Sequence, residues 1–288
     1  MSEGLFTQAS EMVKQTPKRL ERIRCQQYFS IRGTISRRIY FLTALLSFAI
    51  VLAIWSVLSY GEMVKPYFLP TPHSVLLACV ELFTKYNLVS DITASFYRVF
   101  VGFLLAAAIS VPLGVLIGTF RLVEAFIEPI NDFIRYMPVP AFIPIVILWI
   151  GIGDSAQIAL IFIGTFFQLT IMVADIVAHV PKEYLETSYT LGYSKFRVIL
   201  HVILPASFPG IFDALRVSIG WAWSYLILAE VVAASVGLGH MIMESQRYLR
   251  TANVFAGIII IGIIGLIIDY IFKFAYGVFF RWSEKEVS

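Results

Sequence analysis

Six long apolar stretches alternate with short polar ones along the chain, at residues 39 to 60, 92 to 120, 123 to 150, 156 to 178, 209 to 235 and 253 to 280. Each is long enough to supply the roughly 20 mostly apolar residues that a helix needs to cross a bilayer. The pattern therefore predicts an all-α polytopic membrane protein with about six spanning helices. The third stretch is interrupted: Tyr136-Met137-Pro138-Val139-Pro140 and then Pro144 follow the charged pair Asp132 and Arg135. Prolines this dense remove backbone hydrogen bonds, and lipid cannot replace them, so the break is expected to be buried or to line a cavity.

The polar stretches carry their own pattern. Between the fourth and fifth apolar runs lies Glu186 to Pro205, ETSYTLGYSKFRVILHVILP, which reads as two short helices. Glu186 belongs to the first, Gly192 permits a sharp reversal with positive φ, and Leu204-Pro205 opens the next helix, where proline costs no hydrogen bond. A folded loop of this length suggests that something on one side of the membrane grips it. A second polar segment, 62 to 90, contains FLPTPHSV, with Pro70 and Pro72 breaking the chain before a short helix. A third, between the last two spans, is short and amphipathic with His240, Glu244, Arg247 and Arg250. Both are expected to lie along the membrane surface.

Composition agrees with the pattern, since 59% of the residues are hydrophobic and 14% charged, against roughly 25% charged in soluble domains. The organisation expected is a basic segment 1-38, a membrane domain 39-280 with its loop at about 181-205, and a tail 281-288. Residues 1 to 38 hold eight Lys or Arg against three Glu; the positive-inside rule puts them in the cytoplasm. Counting six spans from there places the loop and the C-terminal tail on the same side. The basic segment is better explained by anionic membrane lipid than by nucleic acid. Cys25 and Cys79 fall on opposite sides of the first span and cannot pair within one chain.

Within the spans, Gly102, Ala106, Ser110, Gly114 and Gly118 recur every fourth position and form a ridge that lets another helix approach closely. The neighbour is either a helix of the same chain or one of a second subunit. Thr165, Gln168, Met172, Asp175 and His179 share one face of the fourth span. Glu230 shares a face of the fifth span with Trp223, Ile227 and Ala234 and has no opposite charge within a turn. It requires a partner from elsewhere, a proton or water, with Arg247 and Arg250 as candidates. Gln168, Asp175, Trp223 and Glu230 are the expected path or gate residues, Glu230 gating or bracing rather than binding cargo. Asp175 and His179 read equally well as interfacial groups. Asp269 and Lys273, four apart, are expected to satisfy each other.

The chemistry of an enzyme is not evident. The sequence contains no G-x(4)-G-K-[ST] phosphate loop and no G-x-S-x-G elbow. Its histidines, His73, His179, His201 and His240, are scattered without metal-ligand spacing.

The 186 to 205 loop closely resembles the cytoplasmic E-A-A-x(3)-G-x(9)-I-x-L-P loop of ABC importer permeases: Glu186, Gly192, Leu204 and Pro205 match, while Thr187, Ser188 and Val202 depart from it. FLPTP, SFYRVFVGF, YMPVPAFIPIVILWIGIGD and ALRVSIGWAWSYLILAEVVAASVGLGHMI extend the resemblance to the subfamily serving nitrate, sulfonate, taurine and bicarbonate importers. That resemblance implies a type I ABC importer permease with a five-helix core plus an N-terminal helix, in a bacterial inner membrane. It implies as partners a second permease subunit, as in a homodimer, cytoplasmic ABC ATPase subunits that bind the ATP and Mg, and a periplasmic or lipid-anchored solute-binding protein. The chain itself would then need no cofactor. Glu183, Glu186, Leu191, Gly192, Tyr193, Ser194, Phe196, Leu204 and Pro205 would couple it to the ATPase. The competing reading is a proton-coupled secondary transporter running through Glu230 and Asp175.

Overall fold

A computed structural model describes residues 36–282, and every regular element among them is helical. The basic segment as far as residue 35 and the tail beyond 282, with Cys25 and Lys285, lie outside the described residues. Helix α1, Arg37–Tyr60, starts at Ser36, whose hydroxyl accepts from the Ile39 amide. It presents exposed apolar side chains along most of its length, as a helix bathed in lipid does. With the residues up to Val64 it forms one compact unit, and Lys65 onward forms another.

The second unit begins with α2, Pro72–Lys85, where Thr71 Oγ1 accepts from the Ser74 amide at 3.2 Å and Pro72 occupies the first turn. Helices α3, Leu88–Thr119, and α6, Asp154–Ala178, pack backbone against backbone. The small-residue ridge is the reason: a Cβ on Gly102 would fall 2.8 Å from Ile161 Cγ2, and one on Gly114 2.7 Å from the Thr170 carbonyl oxygen. Ser110 Oγ donates to the Phe166 carbonyl at 3.0 Å across the same seam. The ridge thus belongs to packing inside one chain.

Between these helices, α4, Arg121–Arg135, a 3-10 turn at Val139–Phe142 and α5, Ile143–Ile150, occupy the third apolar stretch. The two limbs meet at 90°. Pro138, Pro140 and Pro144 supply no N–H there, so the helical ladder cannot run through the bend. Among the described residues, five helices are long and apolar enough to cross a membrane, and the bent pair brings the total to six if it counts as one span.

Short helices α7, Lys182–Thr190, and α8, Lys195–Val198, lead through a π turn, Ile199–Ile203, into α9, Leu204–Ala233. After α10, Leu238–Arg247, the chain returns in α11, Thr251–Phe279. Leu169 and Val173 of α6, Val115 of α3, and Ile211 and Ala214 of α9 form the main apolar core, which Val198 and Ile203 of the loop region complete.

Candidate functional site

The loop after α6 is built by local rules. Helix α7 ends in a Schellman motif: the Tyr193 amide donates to the Ser188 carbonyl at 3.0 Å and the Gly192 amide to the Tyr189 carbonyl at 2.9 Å. This closure requires a left-handed residue, and Gly192 supplies it with φ +82°. Nothing lies within 4 Å of where its Cβ would stand, so the demand for glycine is purely conformational. The second short helix does not stop before the span, as the sequence had suggested. The Leu204 amide reaches back five residues to the Ile199 carbonyl, and this π turn lets the chain enter α9 continuously although Pro205 has no donor. Pro205 therefore marks a junction within one helical run, not the start of a separate helix.

On the loop's surface, Glu183, Glu186, Tyr193, Ser194 and Pro205 are exposed, and so are two apolar side chains, Leu191 at 72% and Phe196 at 69%. Leu204 is half-buried. From below, Leu185, Val198, Ile199 and Ile203 root the loop in the core shared with α3, α6 and α9.

Midway along the bundle, a cavity of about 350 Å³ opens at the α4–α5 bend, with Arg135, Tyr136, Met137, Gln168 and Tyr225 in its wall. Gln168 is the one expected path residue found there. Asp175 is exposed near the loop end of α6, 3.3 Å from His179 Nδ1, which fits the interfacial alternative. Trp223 is buried in the chain, with its indole N–H unpaired.

At the far end of the bundle from the loop, Glu230 is 0% exposed. One carboxylate oxygen accepts from Ser95 Oγ at 2.7 Å and Arg98 Nη1 at 2.6 Å, and the other from the Gly239 amide at 2.8 Å. Arg98 also bonds Asp154 at 2.8 Å and the Val236 carbonyl at 2.7 Å. Gly237, at φ +135°, lies so close to Glu230 that any Cβ would strike its carboxylate. The expected partners Arg247 and Arg250 are thus corrected to Arg98; Arg250 instead donates to the Tyr86 hydroxyl at 2.7 Å. Glu230 ties α9 to α3 and α10, and Arg98 extends the cluster to Asp154 at the start of α6. The signal was available: an arginine inside the apolar run 92 to 120 demands a buried counter-charge. On the exposed face of α2, the Lys85 ammonium 2.9 Å away holds the Glu81 carboxyl below its usual range, a pair too solvated to add much stability.

Asp269 and Lys273 pair at 2.9 Å as expected, and Arg216 of α9 adds a bond to the same carboxylate. Among the described residues, no three His, Cys, Asp or Glu gather as a metal site.

Residues 110–284 match the family described as "Binding-protein-dependent transport system inner membrane component". The chain belongs to this family. As a permease of an ABC transporter it is a multi-pass protein of the inner membrane. The putative aliphatic sulfonates transport permease protein SsuC of Bacillus subtilis is 33% identical over 89% of this chain and 93% of its own length. The taurine transport system permease protein TauC of Escherichia coli is 31% identical over 77% and 82% of the two chains. The nitrate import permease protein NrtB of Synechocystis is 30% identical over 78% and 84%. In fold, the permease is similar to a chain of the inward-facing MetNI methionine ABC transporter, with a TM-score of 0.61, 20% identity, and coverage of 67% of this chain and 96% of that one.

Proposed function

We propose that this permease and a second copy of it form the path of an ATP-driven importer for a small oxyanion such as nitrate, bicarbonate, taurine or another sulfonate. Its N- and C-termini face the cytoplasm, and so does the loop at 182–205. An ATPase pair binds ATP and Mg there and grips the exposed Leu191 and Phe196; a solute-binding protein delivers cargo at the opposite end. The observation that carries this reading is the loop itself, a folded element with exposed apolar side chains and a base embedded in the bundle core. The sulfonate, taurine and nitrate relatives support the cargo class.

A proton-driven mechanism is not favoured, because the Glu230 carboxylate is occupied by Arg98, Ser95 and Gly239 and Asp175 is exposed beside His179. The deciding experiment reconstitutes the permease with its ATPase and binding protein and measures uptake of nitrate, taurine and ethanesulfonate. Vanadate-sensitive uptake that requires ATP is expected. Uptake driven by a proton gradient without any ATPase overturns the reading.

Coupling has its own prediction. Gly192→Val forces a β-branched residue into the left-handed region, where an L-residue costs about 1–2 kcal/mol. Uptake should fall roughly tenfold or more on that scale, with normal amounts of protein in the membrane. Gly192→Asn, which tolerates positive φ, should keep most of it. Equal uptake by wild type and Gly192→Val would show that the turn does not transmit force.

A further inference from the structure

Helix α4 is turned the opposite way from a soluble amphipathic helix. Its apolar side chains Leu122 and Phe126 are 84% and 74% exposed, whereas Asn131 is 3% exposed and donates to the Phe167 carbonyl at 3.0 Å. The polar side therefore faces the bundle, and it ends at Arg135 in the last turn, where the broken helix leaves the cavity. An arginine on such a wall is costly unless it is paired or faces water, and it marks a pathway by default.

The guanidinium is held only in part. Its Nε lies 2.9 Å from Asp132 Oδ1 and its Nη2 donates to the Tyr136 hydroxyl at 3.2 Å, while the side chain keeps 23% of its surface exposed. Five N–H donors in a planar fork leave capacity for a further oxyanion. The same cavity is lined by Gln168, which offers an amide donor, and Tyr225, whose ring packs against Gly164; a Cβ there would come within 2.5 Å of Tyr225 Cδ2. Met137, Phe142 and Ile163 complete an apolar wall suited to a short alkyl tail.

Resting on the permease reading above, we propose that Arg135 and Gln168 form a transit station for small oxyanions at the α4–α5 break. Asp132 serves as the resident counter-ion that cargo displaces and that later displaces cargo. A bare guanidinium in a low-dielectric cavity would trap an anion, because charge-assisted bonds are strong there. A carboxylate three residues away makes binding an exchange of one partner for another. The anion is recognised, yet it is not retained.

The test uses a chain carrying Cys25→Ser and Cys79→Ser, with Met137→Cys in the cavity wall as the reporter, assembled in the intact complex. The probes are two thiol reagents of matched size, sulfonatoethyl methanethiosulfonate and its trimethylammonium counterpart. The anion-to-cation rate ratio is read relative to the same ratio for a free thiol, with and without nucleotide. The reporter should favour the sulfonate reagent. Arg135→Gln should lower the ratio roughly tenfold, within the range of electrostatic focusing in a cleft. Arg135→Lys should keep most of it, and Asp132→Asn should raise it above the parent value. Because both reagents meet the same protein, a partial loss of folded complex cancels in the ratio.

An unchanged ratio in Arg135→Gln, or a preference for the cationic reagent in the parent, overturns the station. The labelling needs neither cargo nor turnover. Its failure therefore leaves the uptake experiment to judge the permease reading by itself.

Discussion

Arg98→Ala should destabilise the permease by about 3–5 kcal/mol, the cost of leaving a buried charge without its partner. The substitution strips Glu230 of its only close cation among the described residues and leaves its carboxylate with the Ser95 hydroxyl and the Gly239 amide. It also frees the Val236 carbonyl and removes the Asp154 contact, so four elements lose their common fastener. Adding Glu230→Gln to Arg98→Ala removes the stranded charge and should recover a substantial part of the loss. Unfolding in mixed detergent micelles, followed by helical circular dichroism, measures all three proteins. Wild-type stability in Arg98→Ala would mean that the cluster contributes nothing to holding α10 against the bundle.

The second large effect is expected at Gly114. A leucine there would have to displace the Thr170 carbonyl and Val173, which already lie 2.7 Å from the position of a Cβ. Overpacking of a tight core costs about 1–3 kcal/mol and more when backbone must move. Gly114→Leu should therefore lower the yield of intact complex severely, and even Gly114→Ala should be destabilising. Gly265→Ala in α11 provides the contrast, because its Cβ would meet nothing within 4 Å. There the helix gains up to about 1 kcal/mol from the better helix former. Thermal stability of the purified complex should thus move in opposite directions for the same chemical change. Equal behaviour at both glycines would place the α3–α6 seam elsewhere.

Spans, the break at Pro138 and the turn at Gly192 were legible because each is written in local terms: a run of apolar residues, missing N–H groups, or a residue free of a Cβ. The i+4 ridge was legible as a contact surface, but its partner was not, since α6 and a second subunit satisfy the same spacing. Glu230 shows the same limit. Its need for a counter-charge follows from one helix, whereas the choice between Arg98 and the nearer Arg250 depends on how α3 and α10 meet in space. The π turn is not legible in the sequence, because proline at a helix start and proline within a continuous run leave the same sequence trace.

Under the proposed function, the Glu230 cluster is the fixed point of α9. The helix is pinned near Glu230, while its other end at Leu204 continues into the loop; the two residues are 26 positions apart, about 39 Å along a helix. A rod fixed at one end pivots. Dragging its free end by one helical pitch, about 5.4 Å, tilts it by about 8°. Tyr225, only five positions from the pinned end, would then travel about 1 Å. Under the proposed function, such a stroke would move the loop end of α9 and leave the cavity wall at Tyr225 almost in place. Any larger change in the cavity's bore must come from the opposite wall, where the proline-broken limbs of α4 and α5 have no continuous ladder to resist bending.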